Sequence, residues 1–219
     1  MTSDQNSIYL QKLRSALDDI DPQAINIIKR LKEANFDAYI VGGAIRDLLV
    51  GLKPKDFDIA TNALPNEVKK KVSYSFIIGR RFKLVHARRG DKIFEIATYR
   101  REAKAEELSS EVMIDLPFVE ENFFGNIEED SFRRDFTVNA IFYDPVTEDL
   151  VDHCGGLNDI ASQTLRVIGN PTERIKEDPI RILRAIRLSQ KLSFQIESTL
   201  REAIHQNAVE IQRGVLPRR

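Results

Sequence analysis

The sequence predicts an α+β fold: a small mixed or antiparallel sheet with helices on one side, followed by a helical neck. Three observations predict it. The apolar run at residues 39–41 meets Gly42-Gly43 and passes into an amphipathic stretch at 44–50, which reads as strand, tight turn and helix. Three strand-like runs then follow at 74–78, 82–88 and 93–99, broken by Gly79-Arg80-Arg81 and Arg89-Gly90-Asp91; an antiparallel meander is their simplest arrangement. Near the end, residues 179–192 and roughly 196–211 carry helical periodicity.

A chain of 219 residues with 42% hydrophobic content can bury one large domain, or one domain and part of another. It contains no run of 18 apolar residues and no secretory leader pattern, so a soluble, cytoplasmic protein without a membrane partner is expected. Cys154 is the single cysteine, which excludes an internal disulfide and a cysteine-rich zinc site. His86, His153 and His205 lack ligand spacing. The net charge of −1 hides an uneven distribution: residues 1–101 hold 19 Lys/Arg against 12 Asp/Glu, whereas residues 102–130 hold one lysine against 10 acids. The basic half suits a polyanionic partner, and the acidic block reads as a solvated loop.

In chain order, residues 1–20 fit either a lead-in or a short helix. Asp21-Pro22 then reads as an N-cap and first helical position, with Ile25, Ile28 and Leu31 at helical period behind them. At residues 39–61, YIVGGAIRDLLVGLKPKDFDIAT, the glycine pair opens a helix whose first amides and dipole favour an anion. A side chain at either glycine would block close approach of a triphosphate. Asp56 and Asp58 then stand two apart on an extended segment, which puts both carboxylates on one face. Two such carboxylates repel unless a hard divalent ion lies between them, and Mg2+ is the expected one, with Mn2+ as the alternative. The competing reading is a plain turn and two surface aspartates.

Residues 62–72 read as a short basic helix. On the last meander strand, Glu95 alternates with Phe94 and Ile96, making it either a third carboxylate for the metal site or an outward-facing strand residue. Residues 102–129 lack periodicity and read as a loop or insert. In SFRRDFTVNA, at 131–140, Arg133, Arg134, Asp135 and Asn139 crowd together, and a helix here would set Asp135 and Asn139 on one face. Arginines grip phosphates bidentately, and an Asp/Asn pair can bond ribose hydroxyls. Residues 141–151 read as a hairpin, and DHCGGLND at 152–159 as a structural corner. The helix at 179–192 carries Arg181, Arg184 and Arg187 at three-residue spacing, with Glu177-Asp178 at its start. The helix after it is expected to pack antiparallel to it.

Together GGAIRDLL with DFDIAT, RRDFTVNA, DHCGGLND and EDPIRILRAIR resemble, in order, the class II nucleotidyltransferases of the DNA polymerase beta superfamily, most closely the bacterial poly(A) polymerases. The transfer RNA CCA-adding enzymes share all four motifs. IIGRRFKLVHARR, NFFGNIEEDSFRRDFT and Pro179 in EDPIR look like the poly(A) branch. The resemblance implies addition of AMP from ATP to RNA 3′ ends without a template, with two metals held by Asp56 and Asp58. Gly42, Gly43 and Arg46 would hold the triphosphate. Asp135, Arg134 and Asn139 would face the ribose, and Asp135 competes with Glu95 as the third catalytic carboxylate. Asp178 and Arg181 would read the adenine edge, with Arg184 and Arg187 continuing that face. The implied partners are ATP, an RNA 3′ end, and RNA-decay or RNA-chaperone proteins. The expected organisation is a lead-in over 1–20, a catalytic head over 21–160 containing the acidic loop at 102–130, and a helical neck over 161–219. The chain stops short of the further helical domains of family members, so a head without RNA-binding domains, binding nucleotide without turnover, is the remaining alternative.

Overall fold

In the computed structural model, which describes residues 3–79, 83–102 and 123–210, strands β1 (Ala38–Val41) and β2 (Asp58–Thr61) pair antiparallel, with Ile40 opposite Ile59. The expected meander is present as β3 (Ser75–Ile78), β4 (Leu84–Arg89) and β5 (Lys92–Thr98); Phe82, expected to start its second strand, lies outside the described residues. The hairpin β6 (Ile141–Asp144) and β7 (Asp149–Asp152) completes a seven-stranded sheet of order β3-β4-β5-β2-β1-β6-β7. Within this sheet, among the described residues, only β2 and β5 pair in parallel, so the sheet is mixed.

Helices cover one face. Before the sheet come α1 (Ser3–Ser15), which the sequence leaves open between lead-in and helix, and α2 (Pro22–Glu33). The Asp21 carboxylate accepts the Gln23 N–H at 2.9 Å and starts α2, which buries Ala24, Ile27, Ile28 and Leu31 on one stripe. Each large aliphatic contributes about 1.5–3 kcal/mol by leaving water. With α3 (Gly43–Leu49) and α4 (Pro65–Lys71), these helices share one hydrophobic cluster with Ile40, Ile59, Val85, Phe94 and Ile96 of the sheet. The other face holds a smaller cluster of Val41, Ala60, Tyr99 and Phe142, against which Ile127 packs.

Ile127 belongs to α5 (Ile127–Phe132), which corrects the reading of loop through Glu129. Asn126 and Glu129 cap this helix reciprocally, and that exchange gives order to a short acidic segment without helical periodicity. Residues 103–122 of the expected loop lie outside the described residues.

The chain then forms α6 (Gly156–Ala161), β8 (Thr164–Leu165), α7 (Pro171–Glu177), α8 (Ile180–Leu192), β9 (Gln195–Ile196) and α9 (Ser198–Asn207). Ile175, Ile182, Leu188 and Leu200 join the main cluster. The expectation that the last helix runs along α8 does not hold, because α9 packs chiefly on α7. Ser193, at φ 56°, ends α8 in a left-handed turn, and the parallel β8–β9 pair then redirects the chain.

The DHCGGLND corner is held by Asp152, whose carboxylate accepts the N–H groups of Cys154, Gly156 and Leu157. A Cβ on Gly156 would stand 2.3 Å from the Thr137 carbonyl oxygen. Gly156→Ala must push backbone away from backbone, and we expect it to lower unfolding free energy by about 1–3 kcal/mol, read from the midpoint of urea denaturation.

Candidate active site

Asp56 and Asp58 flank buried Phe57 at the start of β2, so both carboxylates leave the sheet on the face away from the main cluster. The β2–β5 register, Ile59 beside Ile96, sets Asp58 next to Glu95. Asp58 reaches solvent, yet the surrounding protein is dense enough that burial, with the charges of Glu95 and Asp56, pushes its carboxyl above the usual range; Arg134 opposes them. Glu95 is half-exposed rather than buried, and its Oε1 lies 3.3 Å from His86 Nε2 on β4.

Gly42, at φ 76° and ψ −129°, turns β1 into α3. Few side chains tolerate that backbone, so the glycine is required by conformation more than by space. Arg134 stands over it: a Cβ on Gly42 would come 3.7 Å from Arg134 Nη1, and the guanidinium carbon lies 4.9 Å from the centre of the Phe142 ring.

Asp130 fixes Arg134. One of its oxygens takes Arg133 Nε and Nη2 at 2.9 and 2.6 Å, and the other takes Arg134 Nε and Nη2 at 3.1 and 2.7 Å. Burial alone would raise this carboxyl, but Arg134, Arg133 and the Arg100 N–H outweigh it and hold it below the usual range. Burial and Arg133 push Arg100 down to about 10. Three arginines around one aspartate leave a positive surplus beside the carboxylates, which favours a polyphosphate.

Arg46 is buried, with Nε and Nη2 on Asp47 at 3.0 and 2.7 Å and Nη1 on Asn139 Oδ1. Lys191 of α8 reaches the other Asp47 oxygen at 2.7 Å. Asn139 Nδ2 donates to Asp135 Oδ1 at 3.1 Å, and Arg184 Nη2 lies 2.6 Å from Asp135 Oδ2. Arg184 and Lys191, two turns apart on α8, thus close a polar relay across the α3 side of the site. Asp135 and Asn139 do meet, but not on one helix: α5 ends at Phe132, and Thr137–Asn139 forms a single 3-10 turn. The two contenders for third carboxylate are placed differently, Glu95 beside Asp58 and Asp135 inside the relay.

Asp178 links α7 to α8, where its Oδ1 accepts the Ile180 N–H at 3.1 Å. Arg181 turns back to Glu177 at 3.0 Å and to the Arg174 carbonyl. Arg187 is exposed.

A divalent cation fits the carboxylate row, because a raised Asp58 between two like charges is what a cation would relieve. Among the described residues no group of three or more His, Cys, Asp or Glu is gathered as a ready cage, so phosphate and water oxygens would have to complete the shell.

Three residues with a part here escaped the sequence reading. Asp130 was hidden in the acidic block, although its spacing of three and four from Arg133 and Arg134 was visible. Arg174, buried, donates Nη2 to the carbonyls of Arg133 and Arg134 at 3.0 Å each, and no local pattern announces that contact. Lys191 belongs to the same helical face as Arg184, one step beyond the three arginines counted there.

The family model for the poly A polymerase head domain matches residues 38–166. Poly(A) polymerase I of Salmonella typhi is 41% identical over 189 residues, covering 85% of this chain and 41% of that protein. The CCA-adding enzyme of Streptococcus suis is 38% identical over 186 residues, covering 85% and 44%. The crystal structure of the Bacillus stearothermophilus CCA-adding enzyme in complex with CTP superposes with a TM-score of 0.76 at 33% identity, covering 89% of this chain and 46% of that one. The chain therefore spans less than half the length of each of these three relatives.

Proposed function

This chain belongs to the poly(A) polymerase head-domain family, and from that premise we propose that it adds AMP from ATP to RNA 3′ ends without a template. The observation that carries the reading is the position of Asp58, between Glu95 of β5 on one side and Arg134, which stands over the Gly42 turn, on the other. Gly42 and Gly43 let the triphosphate approach the turn, Arg134 and the remaining N–H groups of Arg46 grip it, and Asp135 with Asn139 faces the ribose. Asp56 and Asp58 would hold Mg2+ or Mn2+, which supplies charge neutralisation at the α-phosphate and activation of the 3′-hydroxyl. Glu95 fits the third carboxylate better than Asp135, whose second oxygen lies against Arg184. Asp178 and Arg181 offer an acceptor and a donor to the adenine edge through the groups left over from their capping and ion-pair contacts. Arg184 acts by orienting Asp135, and exposed Arg187 faces solvent or RNA.

Incubation with labelled RNA, Mg2+ and each nucleotide singly tests this. Extension with ATP alone is expected; no extension, or equal use of CTP, refutes it. The likeness to CCA-adding enzymes in sequence and structure supports a second reading. A transfer RNA ending before its CCA separates the two, since addition of C, C and A followed by a stop selects the second.

A further inference from the structure

The sheet face that carries the carboxylates continues past Glu95 across β4 and β3. Glu95 pairs with His86 on β4, and His86 with Phe76 on β3, so Asp58, Glu95, His86 and Phe76 form one row on four adjacent strands. Phe76 is 60% exposed; Ile78, two residues along β3, and Ile93, two strands away on β5, are 37% and 57% exposed, and Tyr74, just before β3, is 79% exposed. Exposed Arg88 stands among them, opposite Ile93. Aromatic and aliphatic side chains exposed together on one sheet face, with a cation, mark a binding surface rather than scattered surface residues.

The placement of the proposed nucleotide site says what binds there. Gly42, Arg134 and the Arg46–Asn139 pair all lie on the β1 side of Asp58. In-line displacement at the α-phosphate needs the attacking hydroxyl and the leaving pyrophosphate on opposite sides. With the triphosphate on the β1 side, the attacking 3′ end must arrive over β5, β4 and β3. Strands are spaced by about 4.8 Å, so Phe76 stands roughly 14 Å from Asp58, about two nucleotides back along an extended strand.

We infer that the β3–β4–β5 face is a stacking platform for the single-stranded 3′ segment of the RNA, with Phe76 and Tyr74 under its bases and Arg88 near its backbone. Stacking on aromatic faces tolerates any base, which suits an enzyme that reads no template. This rests on the proposed function for its direction, but its test does not depend on turnover.

The test is fluorescence anisotropy of a labelled single-stranded oligoadenylate with the wild-type protein, Phe76→Ala, Phe76→Trp and Tyr74→Ala, beside ATP binding by calorimetry. The alanine variants should raise the RNA Kd about tenfold each, the scale of a lost base–aromatic stack, with ATP binding unchanged. Phe76→Trp should bind RNA at least as well as the wild type. An unchanged RNA Kd overturns the inference, as does an equal loss of ATP binding. A wild-type dimer that Phe76→Ala dissolves without weakening RNA binding also overturns it, in favour of contact between copies. RNA binding that depends on Phe76 in a protein that extends no primer would sink the proposed activity and leave the platform standing.

Discussion

Asp58→Asn is expected to remove the proposed nucleotidyl transfer and to leave the protein no less stable. In the proposed reaction the carboxylate would supply charge that holds the cation, and losing several kcal/mol of charge stabilisation at about tenfold per 1.4 kcal/mol would lower the rate by roughly three orders of magnitude or more. The stability half of the expectation follows from the raised carboxyl of Asp58, caused by burial, then Glu95, then Asp56. A carboxyl whose folded pKa exceeds its unfolded one binds its proton more tightly when folded. Its ionisation therefore costs stability as pH rises from the unfolded value through the folded one, and that cost is complete above both. Asparagine keeps the shape and discards the cost. The melting temperature without metal at neutral pH should equal or exceed that of the wild type, and the difference should shrink in acid. A variant that melts lower would show that the carboxylate row is not crowded as described.

Asp130→Ala will do the reverse, damaging the fold first. Asp130 is 1% exposed and holds two arginines and one backbone N–H. Removing one partner of a buried ion-pair cluster costs about 3–5 kcal/mol, because the remaining charges are left uncompensated. The wild-type pH dependence has the opposite sign to that of Asp58. A carboxyl depressed in the folded state contributes stability that is present above its unfolded pKa and lost as pH falls through the folded one. Chemical denaturation of both proteins at neutral pH and below pH ~3 checks this: the gap should be wide at neutral pH and narrow in acid. Asp130→Asn should fall between, since the amide can still accept from one arginine. Equal stability of wild type and alanine variant at neutral pH would rule out the proposed role.

The sequence disclosed those parts of the fold whose signal is local. The strand–glycine–helix run, the cap at Asp21 and the meander are each written in neighbouring residues, and each is present within a few positions. Asp56 and Asp58 were legible because alternation alone sets two carboxylates on one face. Contacts made across the chain were not legible. Nothing near Lys191 names Asp47 as its partner, and nothing near Arg174 names the carbonyls of Arg133 and Arg134. The acidic block masked Asp130 by averaging: a window rich in acids reads as solvated, although its last acid is buried among arginines. The direction of α9 was missed for a related reason, since the left-handed turn at Ser193 and the two-residue strands beyond it are too short to show a period.

The parallel pairing of β2 with β5 has a consequence for how the site comes into being. Antiparallel neighbours can zip from a turn, but a parallel pair must wait for its crossover, and here the crossover is the whole of α4, β3 and β4. Asp58 and Glu95 therefore meet only after the intervening helix and hairpin have been placed. Such non-local pairings carry a loop-closure cost before any contact repays it, which slows folding. Until that pairing forms, Glu95 stays apart from Asp56 and Asp58, and its share of the repulsion enters only with the β2–β5 contact.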